Sequence, residues 1–324
     1  MRITAKQIPI IATLAVCLLL YGTAAIAFHD RGFFSVGVFV NFFIDNAMLG
    51  IASIGMTFVI LSGGIDLSVG SVIGLTSIFI ASAMDRYKLP PIVAIFVALL
   101  GGTVFGGGMG AVIRYFGLPP FLVTLAGMFF ARGAGFLLHL ESVPIDHPFY
   151  NALSEFHLAL GGGIELTASA LIFLATFIIA IYLAQYTRFG RNVYALGGNE
   201  QSAVLMGLPT GSVKMRVYAL SGFCSALAGV VYTLGLSGNP SAAVGLELDA
   251  IAAVVIGGTL LTGGVGYVAG TLLGVLILGI IQTAITFQGS LSSWWTKIAI
   301  GVLLLIFILL QRFVQTRKLR TTAS

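Results

Sequence analysis

Charge is scarce in this sequence: 8% of its 324 residues are charged and 58% are hydrophobic, whereas a soluble domain carries roughly 25% charged residues. Water cannot be the main solvent of such a chain, so a bilayer must cover most of it. Cysteine is nearly absent as well. Cys17 and Cys224 both sit inside apolar runs, which excludes a disulfide framework and leaves packing as their role. Of the four histidines, His139, His147 and His157 fit no ligand spacing and flank a polar loop; no metal and no cofactor are expected. No Gly-Lys pair occurs, hence no phosphate-binding loop of the form G-x-x-x-x-G-K-[ST]. If a nucleotide powers this protein, another chain binds it. The net charge of +5 does not point to nucleic acid, because the basic residues flank apolar segments, where cytoplasmic positive charge is expected.

What is abundant is apolar sequence in runs of about 20 residues, the length that spans a bilayer. They fall at 8–28, 36–61, 66–84, 91–113, 119–139, 166–186, 216–237, 248–262, 265–287 and 292–312. The fold class expected is all-α: a polytopic membrane protein of about ten transmembrane helices with an internal repeat, forming one permease domain over 1–324. The short 248–262 run reads as a full span, a half-helix or a re-entrant segment, so eight to eleven crossings are compatible with the sequence. The first run ends in the cleavage-like tripeptide Ala25-Ile26-Ala27 but is expected to be retained as a span. Loop 140–165 holds Glu141, Asp146, Glu155 and Glu165 without Lys or Arg, whereas 187–215 and its flank hold Arg188, Arg191, Lys214 and Arg216. The first loop is expected in the periplasm and the second in the cytoplasm. The tail, with Arg312, Arg317, Lys318 and Arg320, then places both termini in the cytoplasm.

An internal repeat emerges at an offset of 200 residues. Leu61-Ser62-Gly63-Gly64-Ile65 aligns with Leu261-Thr262-Gly263-Gly264-Val265, and Gly70 and Gly74 with Gly270 and Gly274. Gly-interrupted apolar segments in two halves of a chain are expected of a transporter whose site lies between its repeats. The four-residue spacings Gly102/Gly106/Gly110 and Gly266/Gly270/Gly274 allow close helix approach and are read as packing within the subunit rather than as a dimer interface. Enzyme readings fare poorly: Gly235-Leu236-Ser237-Gly238 resembles the serine site of an intramembrane protease, but no histidine follows His157 to act as its base. Gly235 to Pro240 reads instead as a helix end and turn.

Two groups of residues are candidate sites. Asp66 follows a glycine break and opens an apolar run, so it is either a helix N-terminal cap or part of a polar wall for a hydroxylated solute; Asn46, Thr57, Ser62 and Ser68 are near enough to share that wall. The semi-polar stretch from Asn199 through Glu200, Met206, Gly207 and Leu208 to Pro209 is expected to be a short helix capped at Asn199 and stopped near Gly207. Its Val204, Leu205, Met206 and Leu208 would be exposed unless a cytoplasmic partner covered them.

The stretch Thr57-Phe58-Val59-Ile60-Leu61-Ser62-Gly63-Gly64-Ile65-Asp66-Leu67-Ser68-Val69-Gly70-Ser71 closely resembles the signature of the permeases of ribose-, xylose- and galactose-type bacterial ABC importers. So do Ala195-Leu196-Gly197-Gly198-Asn199-Glu200, Leu248-Asp249-Ala250-Ile251-Ala252 and Val255-Ile256-Gly257-Gly258-Thr259. Within that family, Glu141-Ser142-Val143-Pro144-Ile145-Asp146-His147-Pro148 and Leu291-Ser292-Ser293-Trp294-Trp295-Thr296-Lys297 resemble one of the two permeases of the galactofuranose importer. The resemblance implies an inner-membrane permease moving a monosaccharide. Its implied partners are a separate cytoplasmic ABC ATPase docked at Asn199 to Pro209, a second, related permease making a heterodimer, a periplasmic sugar-binding protein, and membrane lipid. The alternative is an ion-coupled secondary sugar carrier, for which the few intramembrane carboxylates give thin support.

Overall fold

The computed structural model describes residues 8–161, 164–292 and 294–322, with backbone alone at 8, 9, 160 and 313–322. Arg2, Lys6 and Ser293 lie outside the described residues, as do the side chains of Arg317, Lys318 and Arg320. The helices are α1 (Ile8–Ala27), α2 (Val36–Asp45), α3 (Ala47–Leu61), α4 (Val69–Asp85), α5 (Pro91–Phe116), α6 (Pro120–Leu138), α7 (Pro148–Ser154), α8 (Ala168–Tyr186), α9 (Arg188–Gly198), α10 (Glu200–Leu205), α11 (Thr210–Thr233), α12 (Leu246–Ile256), α13 (Val268–Gln288) and α14 (Trp294–Thr322). Pro91 and Pro120 open α5 and α6, the first-turn position where the missing N–H costs nothing. Among the described residues the all-α class is interrupted by short strands. β1 (Val143–Pro144) pairs antiparallel with β4 (Ser237–Gly238), and β2 (His157–Gly161) with β3 (Ile164–Thr167).

Among the described residues seven helices are long and apolar enough to cross a membrane, or eight if α2 and α3, bent by 56° at Asn46, form one span. The apolar runs expected at 66–84 and 248–262 are shorter as helices, with 17 residues in α4 and 11 in α12. α4 begins only at Val69, beyond the Gly63–Gly64 break, and α12 ends at Ile256, before Gly257 and Gly258; both are packed inside the bundle, where irregular backbone can be tolerated at membrane depth. Two other expectations need correction. The span expected at 216–237 runs from Thr210 to Thr233, and the segment 187–215 carries, besides the short helix expected after Asn199, a further helix, α9.

α3 is the central helix: thirteen of its fifteen residues are buried, and it packs against α8, α11, α12 and α13. The outer helices α1, α5, α6 and α14 leave Leu19, Phe96, Phe130 and Leu309 exposed, as surfaces covered by lipid or another membrane subunit do. The two glycine strips pack within the chain. A Cβ on Gly106 would lie 2.2 Å from the Tyr218 carbonyl oxygen of α11, and one on Gly274 would lie 1.9 Å from that of Ala253 on α12.

Candidate functional site

Three glycine pairs converge at one end of α3. Beyond Leu61 the chain turns through Gly63 at φ 84°, and beyond Ile256 through Gly263 at φ 83° and Gly264 at φ 73°, backbone that only glycine adopts at little cost. The Gly264 N–H donates to the Leu61 carbonyl at 2.9 Å. The end of α9 closes the group: a Cβ on Gly197 would lie 1.8 Å from that Leu61 oxygen and 2.6 Å from Gly264 N, and one on Gly263 would lie 2.8 Å from Gly63 N. The segments aligned by the 200-residue offset thus touch backbone to backbone, with α9 wedged between them. On α9 the Tyr194 hydroxyl donates to the Gly266 carbonyl at 2.9 Å, and burial, with Tyr267 nearby, pushes its phenol up to about 12. Deeper in the bundle the hydroxyls of Thr57 on α3 and Thr271 on α13 are 2.7 Å apart.

The five solute-wall candidates do not form one wall. Asp66 is buried, and its carboxylate accepts from the Ser68 N–H at 2.9 Å, the Ser68 hydroxyl at 2.6 Å and the Ser221 hydroxyl of α11 at 2.7 Å. It therefore ties the break before α4 to α11; Ser68, not Asp66, occupies the N-cap position. Ser62 bonds back to the Val59 carbonyl at 2.7 Å, and Thr57 to that of Ser53 at 2.7 Å. Asn46 lies apart, at the α2–α3 bend, donating to the Phe42 carbonyl at 2.9 Å and packing on Gly279 of α13. Asp66→Asn is expected to cost about 1–2 kcal/mol, because hydrogen bonds to a charged acceptor become neutral ones while the amide can still donate to Ser221. A melting series of purified Asp66→Asn and Ser221→Ala checks this; additive losses would show that the two residues do not act together.

A polar cluster that sequence reading missed lies between α4, α6 and α12. Arg132, midway along α6, donates from Nη1 to the Pro240 carbonyl at 2.6 Å and the Ala242 carbonyl at 2.9 Å. Glu247, in the first turn of α12, keeps a buried Oε2 with no hydrogen-bond partner among the described residues. Gly70 and Gly74 of α4 make the room: a Cβ on Gly70 would lie 2.4 Å from that Oε2, and one on Gly74 2.8 Å from Arg132 Nη1. One turn on, the Ser77 hydroxyl donates to the Asn239 carbonyl at 3.1 Å and accepts from the Asn239 N–H at 3.1 Å. The irregular segment 234–245, with Leu236 and Ala243 at positive φ, is thereby held against α4. The helix end and turn expected there is present: α11 stops at Thr233 and the Asn239 side chain accepts from the Ser241 N–H at 2.7 Å. Intramembrane ionisable residues commonly mark solute pathways.

The stretch from Asn199 to Pro209 folds as its sequence indicates. Asn199 Oδ1 accepts from the Ser202 N–H at 2.8 Å, α10 follows, and Gly207 takes φ 77°. Lys214 donates to Glu200 at 2.6 Å. Leu205 is 88% exposed and Met206 69%, whereas Leu208 is half-buried, its N–H turned back onto the Ala203 carbonyl at 3.0 Å.

The family described as branched-chain amino acid transport system / permease component matches residues 38–308. The inner membrane ABC transporter permease protein YjfF of Escherichia coli K12 is 52% identical over 308 residues, 95% of this chain and 92% of the relative. The ribose import permease protein RbsC of Haemophilus influenzae is 40% identical over 299 residues, 91% of each chain. The fructose import permease protein FruG of Bifidobacterium longum is 34% identical over 322 residues, 97% of this chain and 93% of the relative. No solved structure matches.

Proposed function

Because the chain belongs to the family described as branched-chain amino acid transport system / permease component, we propose that it is the membrane subunit of a sugar-importing ABC transporter and that its sugar is galactofuranose. The observation that carries the sugar class is alignment over more than nine-tenths of the chain with permeases named for ribose and fructose. The family description names amino acids, but the relatives that match nearly end to end bear sugar names. The chain is a transport subunit, not an enzyme; ATP is bound by a separate ATPase, and a binding protein delivers the sugar. Galactofuranose rests on the finer resemblance of Glu141 to Pro148 and Leu291 to Lys297.

In this reading the charge distribution puts both termini and 187–215 in the cytoplasm and 140–165 in the periplasm, and a second, related permease completes a heterodimer. The exposed Leu205–Met206 face of α10 seats on the ATPase. Movement there passes through Asn199 into α9, whose Gly197 and Gly198 touch both glycine breaks. Shifting α9 would open or close the Leu61–Gly264 contact, linking ATP binding to the conformation of the pathway.

Uptake by the assembled importer in liposomes is the test. Labelled galactofuranose is expected to accumulate with ATP and to resist competition by ribose; uptake that needs an ion gradient and no ATPase would overturn the ABC reading, and indifference between the two sugars would overturn the galactofuranose assignment. Leu205→Asp should leave the chain inserted but weaken ATPase docking. Loss of an apolar anchor costs about 2 kcal/mol or more, roughly thirty-fold in affinity, read by co-purification of the ATPase and by its stimulated hydrolysis rate.

A further inference from the structure

We infer that a polar pocket between α3, α12, α13 and α14 is a binding site for a neutral monosaccharide. It is remote from the glycine breaks: Leu49, on its wall, is twelve residues up α3 from Leu61, about 18 Å along the axis. Its volume is ≈ 330 Å³, at the small end of the roughly 300–1,000 Å³ of ligand pockets. Across it Lys297 Nζ meets both carboxylate oxygens of Asp249, at 2.5 and 2.8 Å. The Asp249 side chain is 21% exposed and that of Lys297 54%.

The ligand class follows from the groups left over. An ammonium has three donors and a carboxylate about four acceptor positions, so the pair keeps one N–H and about two lone pairs for a ligand. The pair is neutral as a unit and offers no excess charge to an anion such as a sugar phosphate. Gln282, Thr286 and Thr296 add neutral donors and acceptors on the same wall. Trp294, 75% exposed, supplies a flat apolar face for the C–H side of a sugar ring. Apolar walls with a few convergent polar groups are what a small-ligand site requires. A site on a transport route must also release its ligand, so the affinity is weak, roughly millimolar.

The assignment takes its choice of sugars and its expected weak affinity from the transport reading. Trp294 and Trp295 are the chain's two tryptophans, so Trp295→Phe leaves Trp294 as the sole indole reporter. Emission of this purified variant is titrated with methyl galactofuranoside, ribose and, as control, glycerol. A saturable change with at least one sugar and none with glycerol is expected, weakened about tenfold or more in Asp249→Asn, the loss that follows when a charged hydrogen bond becomes neutral. Gln282→Leu should weaken it too. Thr286→Val keeps the shape of an exposed side chain, so a weaker response there is not a folding failure. No saturable change, a glycerol response equal to that with sugar, or a response untouched by all three substitutions overturns the site. Failure of the parent reading shows separately, as absence of ATP-driven sugar uptake by the assembled importer, whatever the fluorescence reports.

Discussion

Replacing Gly197 with valine is expected to abolish the assembled fold or, at the least, to lower stability by about 3 kcal/mol, the upper part of the usual range for overpacking. The reason is the identity of the neighbours. Even the Cβ would stand 1.8 Å from the Leu61 carbonyl oxygen and 2.6 Å from Gly264 N, backbone atoms already committed to each other by the 2.9 Å hydrogen bond between the two breaks. No flexible side chain can move aside. The wedge must back out of the crossing or that bond must open, and either change separates α9 from α3 and α12. Gly198 is the control. A Cβ there meets nothing within 4 Å, and Ala in place of Gly late in a helix is favoured by up to about 1 kcal/mol. Melting of the purified variants in detergent checks the contrast: equal losses at 197 and 198 would mean that the crossing is not held by contact with α9.

How much was legible in the sequence follows from what each signal measures. Long uninterrupted apolar runs locate α1, α5, α6, α8 and α13 to within a few residues, because a bilayer demands a helix of that length and composition; the start of α14 is found likewise, but the helix runs ten residues past the expected end at 312, to Thr322. The glycine pair at 63–64 marks where α3 gives out, and that at 263–264 lies in the break between α12, which already ends at Ile256, and α13, since positive φ favours glycine; that the two breaks touch depends on tertiary packing, which no local pattern carries. Hydropathy fails where a helix leaves the apolar zone. α11 starts at Thr210 although Lys214 and Arg216 make its first turns polar, and α9, an amphipathic helix with Val193 and Leu196 buried and Arg191 exposed, reads as loop. Asn46 was visible as a polar residue in an apolar run, but its 56° bend was not. Asp66 stood out because it is a carboxylate beside a break; that Ser221, 155 residues away, would donate to it was beyond the reach of any spacing argument. Arg132 was overlooked because one charge in an apolar run barely lowers the mean hydropathy, and its partners are carbonyls of a segment more than 100 residues on.

Arg132→Met is expected to cost about 1–3 kcal/mol, the range for leaving hydrogen-bonding groups unsatisfied and below that of a fully buried ion pair, because Arg132 and Glu247 are both half-buried and solvent screens part of their interaction. Methionine fills the space of the side chain but donates nothing. The Pro240 and Ala242 carbonyls lose their shared donor, and Glu247, whose Oε2 already lacks a partner among the described residues, loses the nearest compensating charge. Arg132→Lys should recover much of the loss, because both bonds leave a single nitrogen, Nη1, and an ammonium carries three donors of its own. The informative variant is the double one. If the guanidinium matters chiefly as the counter-charge of Glu247, then Arg132→Met with Glu247→Gln should be markedly more stable than the sum of the single losses. If its role is to hold the 234–245 segment against Gly74 and Ser77, the double variant should be no better than Arg132→Met alone, and that segment should become accessible to hydrogen exchange while α5 and α13 stay protected. Thermal melting of the four proteins in a cycle, together with exchange mapped by segment, separates the two; stability close to the parent in Arg132→Met would show that the cluster contributes little to holding the loop in place.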